Sequence, residues 1–178
     1  MQELYEKSST EEEREKITAK CSEISDWIDE EVMPDTDIKL LEDKLKELKD
    51  LTVAWFARVR EHTDRPEALA ALNSMVNTSE TFVAKARNVT KEGEDGPFTV
   101  TELDTLEAKL KEVKKWRDEA LEEQEKQPMY EMPKMTTGKI AEKGVELDRE
   151  VRKLFSSSRS FNINPRHPFL FIALSENR

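Results

Sequence analysis

A chain of 178 residues suits one domain with a tail. With 38% charged against 36% hydrophobic residues, it can build only a narrow core beneath a heavily solvated surface. The net charge of −10 argues against nucleic acid, whose binders carry a basic footprint, and four glycines are too few for a linker protein or a turn-rich all-β fold.

Charge this high is also a signature of disorder, but the apolar residues recur in order. Ser9-Thr10-Glu11-Glu12-Glu13 offers a capping box in two registers, Ser9 with Glu12 or Thr10 with Glu13. Ile17, Cys21, Ile24, Ile28 and Val32 then form one helical stripe, which Pro34 ends. Asp35 or Thr36 is placed to cap a second helix striped by Ile38, Leu41, Leu45, Leu48, Trp55, Phe56 and Val59. Arg65-Pro66 breaks that run, and Pro66 suits the first turn of a third helix, whose apolar face is Leu69, Leu72, Val76, Phe82, Val83 and Ala86.

Residues 90–97, with Gly93 and Gly96 among charges, read as an exposed loop. Leu103, Leu106, Leu110, Val113, Trp116 and Leu121 stripe a fourth helix. Pro128 and Pro133 mark a break, after which Ile140, Leu147, Val151 and Leu154 stripe a fifth. Gly144 lies inside that helix at a cost of about 1 kcal/mol against alanine. The expected fold is all-α, an antiparallel bundle of about five helices over residues 1–156. An irregular apolar tail, 157–178, follows, with the run Phe169-Leu170-Phe171-Ile172-Ala173-Leu174 left to pack on the bundle or to meet a partner.

That run is far shorter than the roughly 18–20 apolar residues that span a membrane. The start, Met1-Gln2-Glu3-Leu4, does not read as a secretory leader. Chemistry is equally sparse. His62 and His167 lie in different regions without metal-ligand spacing, and no phosphate loop or dinucleotide fingerprint occurs. Cys21, on its stripe, reads as a small packed hydrophobe rather than a nucleophile. No catalytic, cofactor or metal residue is therefore expected, and the chain should act through protein contacts. Trp55 and Trp116 read as core. Trp27, at the edge of its stripe, reads as core or as a contact residue, and Phe169 and Phe171 join it as candidate contacts. Asn77-Thr78-Ser79 and Asn88-Val89-Thr90 are sequons, Asn88 beside the loop being the more accessible acceptor; about one such match is expected by chance.

In order along the chain stand Ser9-Thr10-Glu11-Glu12, Trp27-Ile28 followed by acids, Lys44-Leu45 with Glu47-Leu48, and Phe56 with Arg58-Val59. Pro66-Glu67 with Leu69, Ala71 and Leu72, Asn77 with Ser79 and Phe82, and Ala86-Arg87 follow. Then come Phe98-Thr99, Thr105-Leu106-Glu107, Trp116, Glu123-Gln124 and Leu147-Asp148-Arg149-Glu150-Val151. Over residues 5–155 this succession resembles the C-terminal helical region of the large endoplasmic-reticulum members of the heat shock protein 70 superfamily, the hypoxia up-regulated chaperones. The resemblance implies a lid and bundle following nucleotide-binding and β-sandwich domains. It implies ATP in the parent protein only, unfolded clients and another heat shock protein 70 as partners, and the endoplasmic-reticulum lumen, with the cytoplasm as the alternative. The ending Ser175-Glu176-Asn177-Arg178 departs from the retention signal of that family. A structural or adaptor bundle is the rival reading. The unequal segments around Pro34, Pro66, Pro128 and Pro133 argue against a heptad rod.

Overall fold

The computed structural model describes residues 2–90 and 97–157. The described residues hold five helices and no strand: α1 (Gln2–Lys7), α2 (Glu11–Glu31), α3 (Ile38–Val89), α4 (Val100–Glu125) and α5 (Thr137–Ser157). The all-α expectation stands, but the five helices are not the five expected. The second and third expected helices are one, α3, which runs through Pro66. Pro66 has no N–H to offer the carbonyl one turn earlier. Starting a new helix fixes several residues before the first hydrogen bond forms, whereas continuing one does not. The long helical sequence on both sides therefore carries α3 across a single missing bond.

The chain divides into two compact units, Met1–Thr63 with Lys126–Pro133, and Asp64–Glu125 with Lys134–Arg178. α3 gives residues 38–63 to the first and 64–89 to the second.

The second unit is an up-down-up bundle of the C-terminal half of α3 with α4 and α5. Cross-helix pairs fix the antiparallel order. Arg87 Nε donates to Glu107 Oε1 at 2.6 Å, and Arg87 also pairs with Asp104. Lys114 meets Glu80 at 2.7 Å, and Lys109 meets Glu146 at 3.6 Å. Inside lie Leu72, Val76 and Val83 of α3, Leu103, Leu106, Leu110 and Val113 of α4, and Ile140, Leu147, Val151 and Leu154 of α5. These are the stripes expected from spacing, and fully burying each such side chain contributes about 1.5–3 kcal/mol. Phe82, Phe98 and Phe155 close one end, their ring centroids 5.1–5.9 Å apart. Thr99 and Glu102 cap α4 reciprocally: Glu102 N–H donates to Thr99 Oγ1 at 3.2 Å, and Thr99 N–H donates to Glu102 Oε2 at 2.8 Å.

The first unit is thinner. α2 and the N-terminal half of α3 run antiparallel, linked by Lys20 to Glu47 and Lys44 to Glu23, each at 3.3 Å. Neither expected cap of α3 is used. Asp37 caps it, its Oδ1 accepting from Lys39 N–H at 3.0 Å, while Thr36 Oγ1 accepts from Met33 N–H at 2.7 Å.

Candidate functional site

The first unit presents an apolar face held in place by polar latches. The latches start at the α1–α2 junction, where a helix ends and another begins within three residues. Helix ends leave carbonyls and N–H groups without intrahelical partners, and side chains supply them here. Thr10 caps α2 with Glu13: Glu13 N–H donates to Thr10 Oγ1 at 3.2 Å, and Thr10 N–H donates to Glu13 Oε2 at 3.0 Å. The structure thus selects the second of the two expected registers. Ser9 Oγ turns back to donate to the Tyr5 carbonyl at 3.0 Å.

Arg58 of α3 ties this junction down. Its Nε donates to the Ser8 carbonyl at 2.8 Å and its Nη2 to Glu13 Oε2 at 2.7 Å, with the residue only 7% exposed. Trp55, half-buried, donates its indole N–H to the Tyr5 carbonyl at 3.1 Å and stacks on Phe56. His62 Nε2 lies 3.0 Å from the Met129 carbonyl, within hydrogen-bond reach. Burial raises the Glu13 carboxyl pKa, but the Thr10 N–H and the Arg58 guanidinium outweigh it and hold the group below the usual glutamate value. The charged carboxylate therefore stabilises the folded state fully above the unfolded value, about 4.3. That contribution is lost as pH falls through the folded value. Glu13→Ala is expected to cost about 1 kcal/mol at neutral pH. Its urea midpoint should approach that of the parent chain only as pH falls through the lowered folded-state value of Glu13, where the parent also loses the contact; parallel pH curves would contradict this.

The latches leave much apolar surface uncovered. α2 buries no residue. On its stripe Ile17, Ile24 and Val32 are half-buried, Ile28 is exposed, and Cys21 is an exposed free thiol rather than a packed one. On α3, Ile38 (70% exposed), Leu41, Leu45 and Phe56 (52%) face solvent, and only Val59 of the expected stripe is buried. The physical reason is geometric. Two helices cover one another along a single seam, and α3 carries apolar side chains beyond that seam, at Leu40, Leu51 and Val53. Nine of the fourteen large apolar side chains exposed among the described residues lie between Ile28 and Phe56, a concentration beyond the single scattered apolar residues usual on a protein surface. Sequence spacing named Ile38, Leu41, Leu45 and Phe56 as core and passed over Leu40, Leu51 and Val53. The adjacent pairs Leu40-Leu41 and Leu51-Thr52-Val53 were the available signal, since no single stripe holds both members.

Trp27 is half-buried on α2 beneath the Lys44 ammonium, 5.7 Å from the ring centroid. It therefore borders the exposed face instead of lying in a core. Trp116 is half-buried and packs against the second unit's core. Asn77 is exposed midway along the second unit's part of α3, and Asn88 is exposed near its end. Phe169 and Phe171 lie outside the described residues. No group of three or more His, Cys, Asp or Glu that could hold a metal ion occurs among the described residues, and no helix among them is long and apolar enough to cross a membrane.

Residues 83–156 match the family model described as HYOU1-like, C-terminal domain; apart from 126–133, which belong to the first unit, these residues lie in the second unit, and the match stops one residue before the end of α5. The chain is 42% identical over 165 residues to hypoxia up-regulated protein 1 of Gallus gallus, covering 93% of the chain and 16% of that relative. Against the Homo sapiens protein of the same name it is 37% identical over 162 residues, 91% of the chain and 16% of the relative. Heat shock 70 kDa protein 4L of Homo sapiens is 26% identical over 145 residues, 82% of the chain and 17% of that protein. The chain thus spans about a sixth of the length of these curated relatives. No solved structure matches. Residues 83–156 are thus similar to the HYOU1-like C-terminal domain, and similarity to the hypoxia up-regulated proteins extends through the helices that precede them.

Proposed function

We infer that this chain is the non-catalytic C-terminal part of a heat shock protein 70-like chaperone, and that it contributes to holding unfolded clients and to lid or partner-chaperone contacts. The observation that carries this reading is the exposed apolar face of the first unit from Ile28 to Phe56. Unfolded chains offer apolar segments, and a surface that leaves Ile38, Leu45 and Phe56 uncovered between charged latches can take them up without needing one fixed sequence. Similarity to the hypoxia up-regulated proteins supports the same class. Nucleotide binding and hydrolysis, and exchange on a partner heat shock protein 70, belong in this reading to other domains of the parent protein. Residence in the endoplasmic-reticulum lumen also rests on resemblance; sugar on Asn88 or Asn77 of the cellular protein would support it.

Suppression of aggregation of a denatured client tests the inference. The full chain, a version stopped after Ser157, and Leu45→Glu/Phe56→Glu would be compared at equal and excess ratios. The first two should protect, and the double substitution should lose most of that protection while keeping its helical signal. If no version protects, client holding is wrong for this part of the protein. The face would then serve as a docking surface, which is the adaptor reading.

A further inference from the structure

We propose, resting on the contact role inferred above for this face, that the first unit takes an amphipathic helix of a partner protein into an open groove between α2 and the N-terminal half of α3. The partner's lysines and arginines lie over the α2–α3 turn. Helical geometry builds the groove, since each residue turns the chain by about 100°. On α2, Lys20 and Glu23 point across the seam to Glu47 and Lys44. Half-buried Ile24 and exposed Ile28 stand up to about 110° further round. On α3, exposed Ile38, Leu41, Leu45 and Phe56 stand about 90–150° round from Lys44 and Glu47 in the same sense. In antiparallel helices, equal rotations from a seam lead to one side of the pair. Ile24 and Ile28 therefore wall one edge of a groove, and the four α3 side chains wall the other.

Ile38 and Phe56 are eighteen residues apart, so the α3 wall runs for about 27 Å, or five helical turns. A helix is the form that fits it. A helix satisfies its own N–H and C=O groups, whereas an extended segment would set them unpaired against these apolar side chains. α2 buries no residue, so a third long helix would complete a core that two leave open. Charge then selects which helix. Between Lys20 and Lys39 the chain carries seven acids and no lysine or arginine. Asp29, Glu30 and Glu31 sit in the last turn of α2, where the helix dipole is already negative and no base offsets them. They and Asp35 form no ion pair among the described residues. Acids that oppose the dipole at one end of an apolar groove favour a cationic occupant. A second copy would bring the same acids and another net −10 to the site.

Three labelled peptides of about eighteen residues, long enough for the groove, test this against the full chain by fluorescence anisotropy. The first carries leucines at helical spacing and lysines clustered at one end. The second holds the same residues reordered without a stripe, and the third has glutamate for each lysine. The first should bind about tenfold more tightly than either of the others and gain helical signal on binding. Asp29→Asn/Glu30→Gln/Glu31→Gln should remove most of the preference for lysine over glutamate. Glu119→Gln/Glu123→Gln/Glu125→Gln, an equal change of charge at exposed sites on α4, should leave it. Leu45→Glu/Phe56→Glu should abolish binding of the first peptide. Failure of the first peptide to bind would overturn the proposal, and so would equal binding of striped and reordered peptides or of lysine and glutamate forms. Client protection by the same chain would in each case still uphold the broader holding role. A chain that is dimeric alone, and monomeric as Leu45→Glu/Phe56→Glu, would overturn the proposal in favour of a second copy.

Discussion

Leu147→Ala is expected to lower the stability of the second unit by about 2–5 kcal/mol. Leu147 is fully buried on α5, in the same core as Leu106 and Leu110 of α4 and Val76 of α3. Removing its branched end forfeits the transfer free energy of those carbons and leaves a cavity between helices that have little room to collapse. Domains are stable by only about 5–15 kcal/mol in total, so this one change removes a large fraction of the margin. Leu45→Ala is the matched comparison, because Leu45 is 51% exposed on the first unit's open face. It should shift stability by no more than about 0.5 kcal/mol. Urea unfolding followed by far-UV dichroism measures both. A loss below about 1 kcal/mol for Leu147→Ala would mean that its site is not closed in solution.

Pro66→Ala has an effect of comparable size and opposite sign. Inside a helix, proline removes one backbone hydrogen bond and its ring presses on the preceding turn, together costing about 3 kcal/mol. Restoring the N–H within the continuous α3 should therefore stabilise the chain by about 1–3 kcal/mol. At the first turn of a separate helix, the position that spacing suggested, proline costs nothing and fixes a favourable dihedral. There the same substitution would be neutral or slightly harmful. The sign of the change in urea midpoint thus distinguishes one helix from two.

What the sequence made legible follows the same divide. In the second unit each stripe has a partner on both sides, so Leu103, Leu106, Leu110 and Val113 are core as their spacing indicated. In the first unit the stripe of Ile38, Leu41, Leu45 and Phe56 has the same spacing and stays exposed. Periodicity reports that one face of a helix is apolar; it does not report whether anything arrives to cover that face. Local chemistry was readable only as alternatives. The hydroxyls of Ser9 and Thr10 were equivalent until Ser9 was seen to serve the Tyr5 carbonyl, leaving Thr10 to cap α2. Arg58 gave no signal of its own, since its partners Ser8 and Glu13 are about fifty residues away and only folding brings them together.

Ser79 has a consequence for the order of events in the life of the chain. It is the third residue of the Asn77 sequon, fully buried, and its hydroxyl finds no partner among the described residues. A modifying enzyme that must read that hydroxyl cannot do so once α3 has packed, even though Asn77 itself stays exposed. Any sugar on Asn77 is therefore attached while this stretch is still unfolded. Occupancy there works as a clock, setting the rate of attachment against the rate of bundle closure, and mutations that slow closure should raise it.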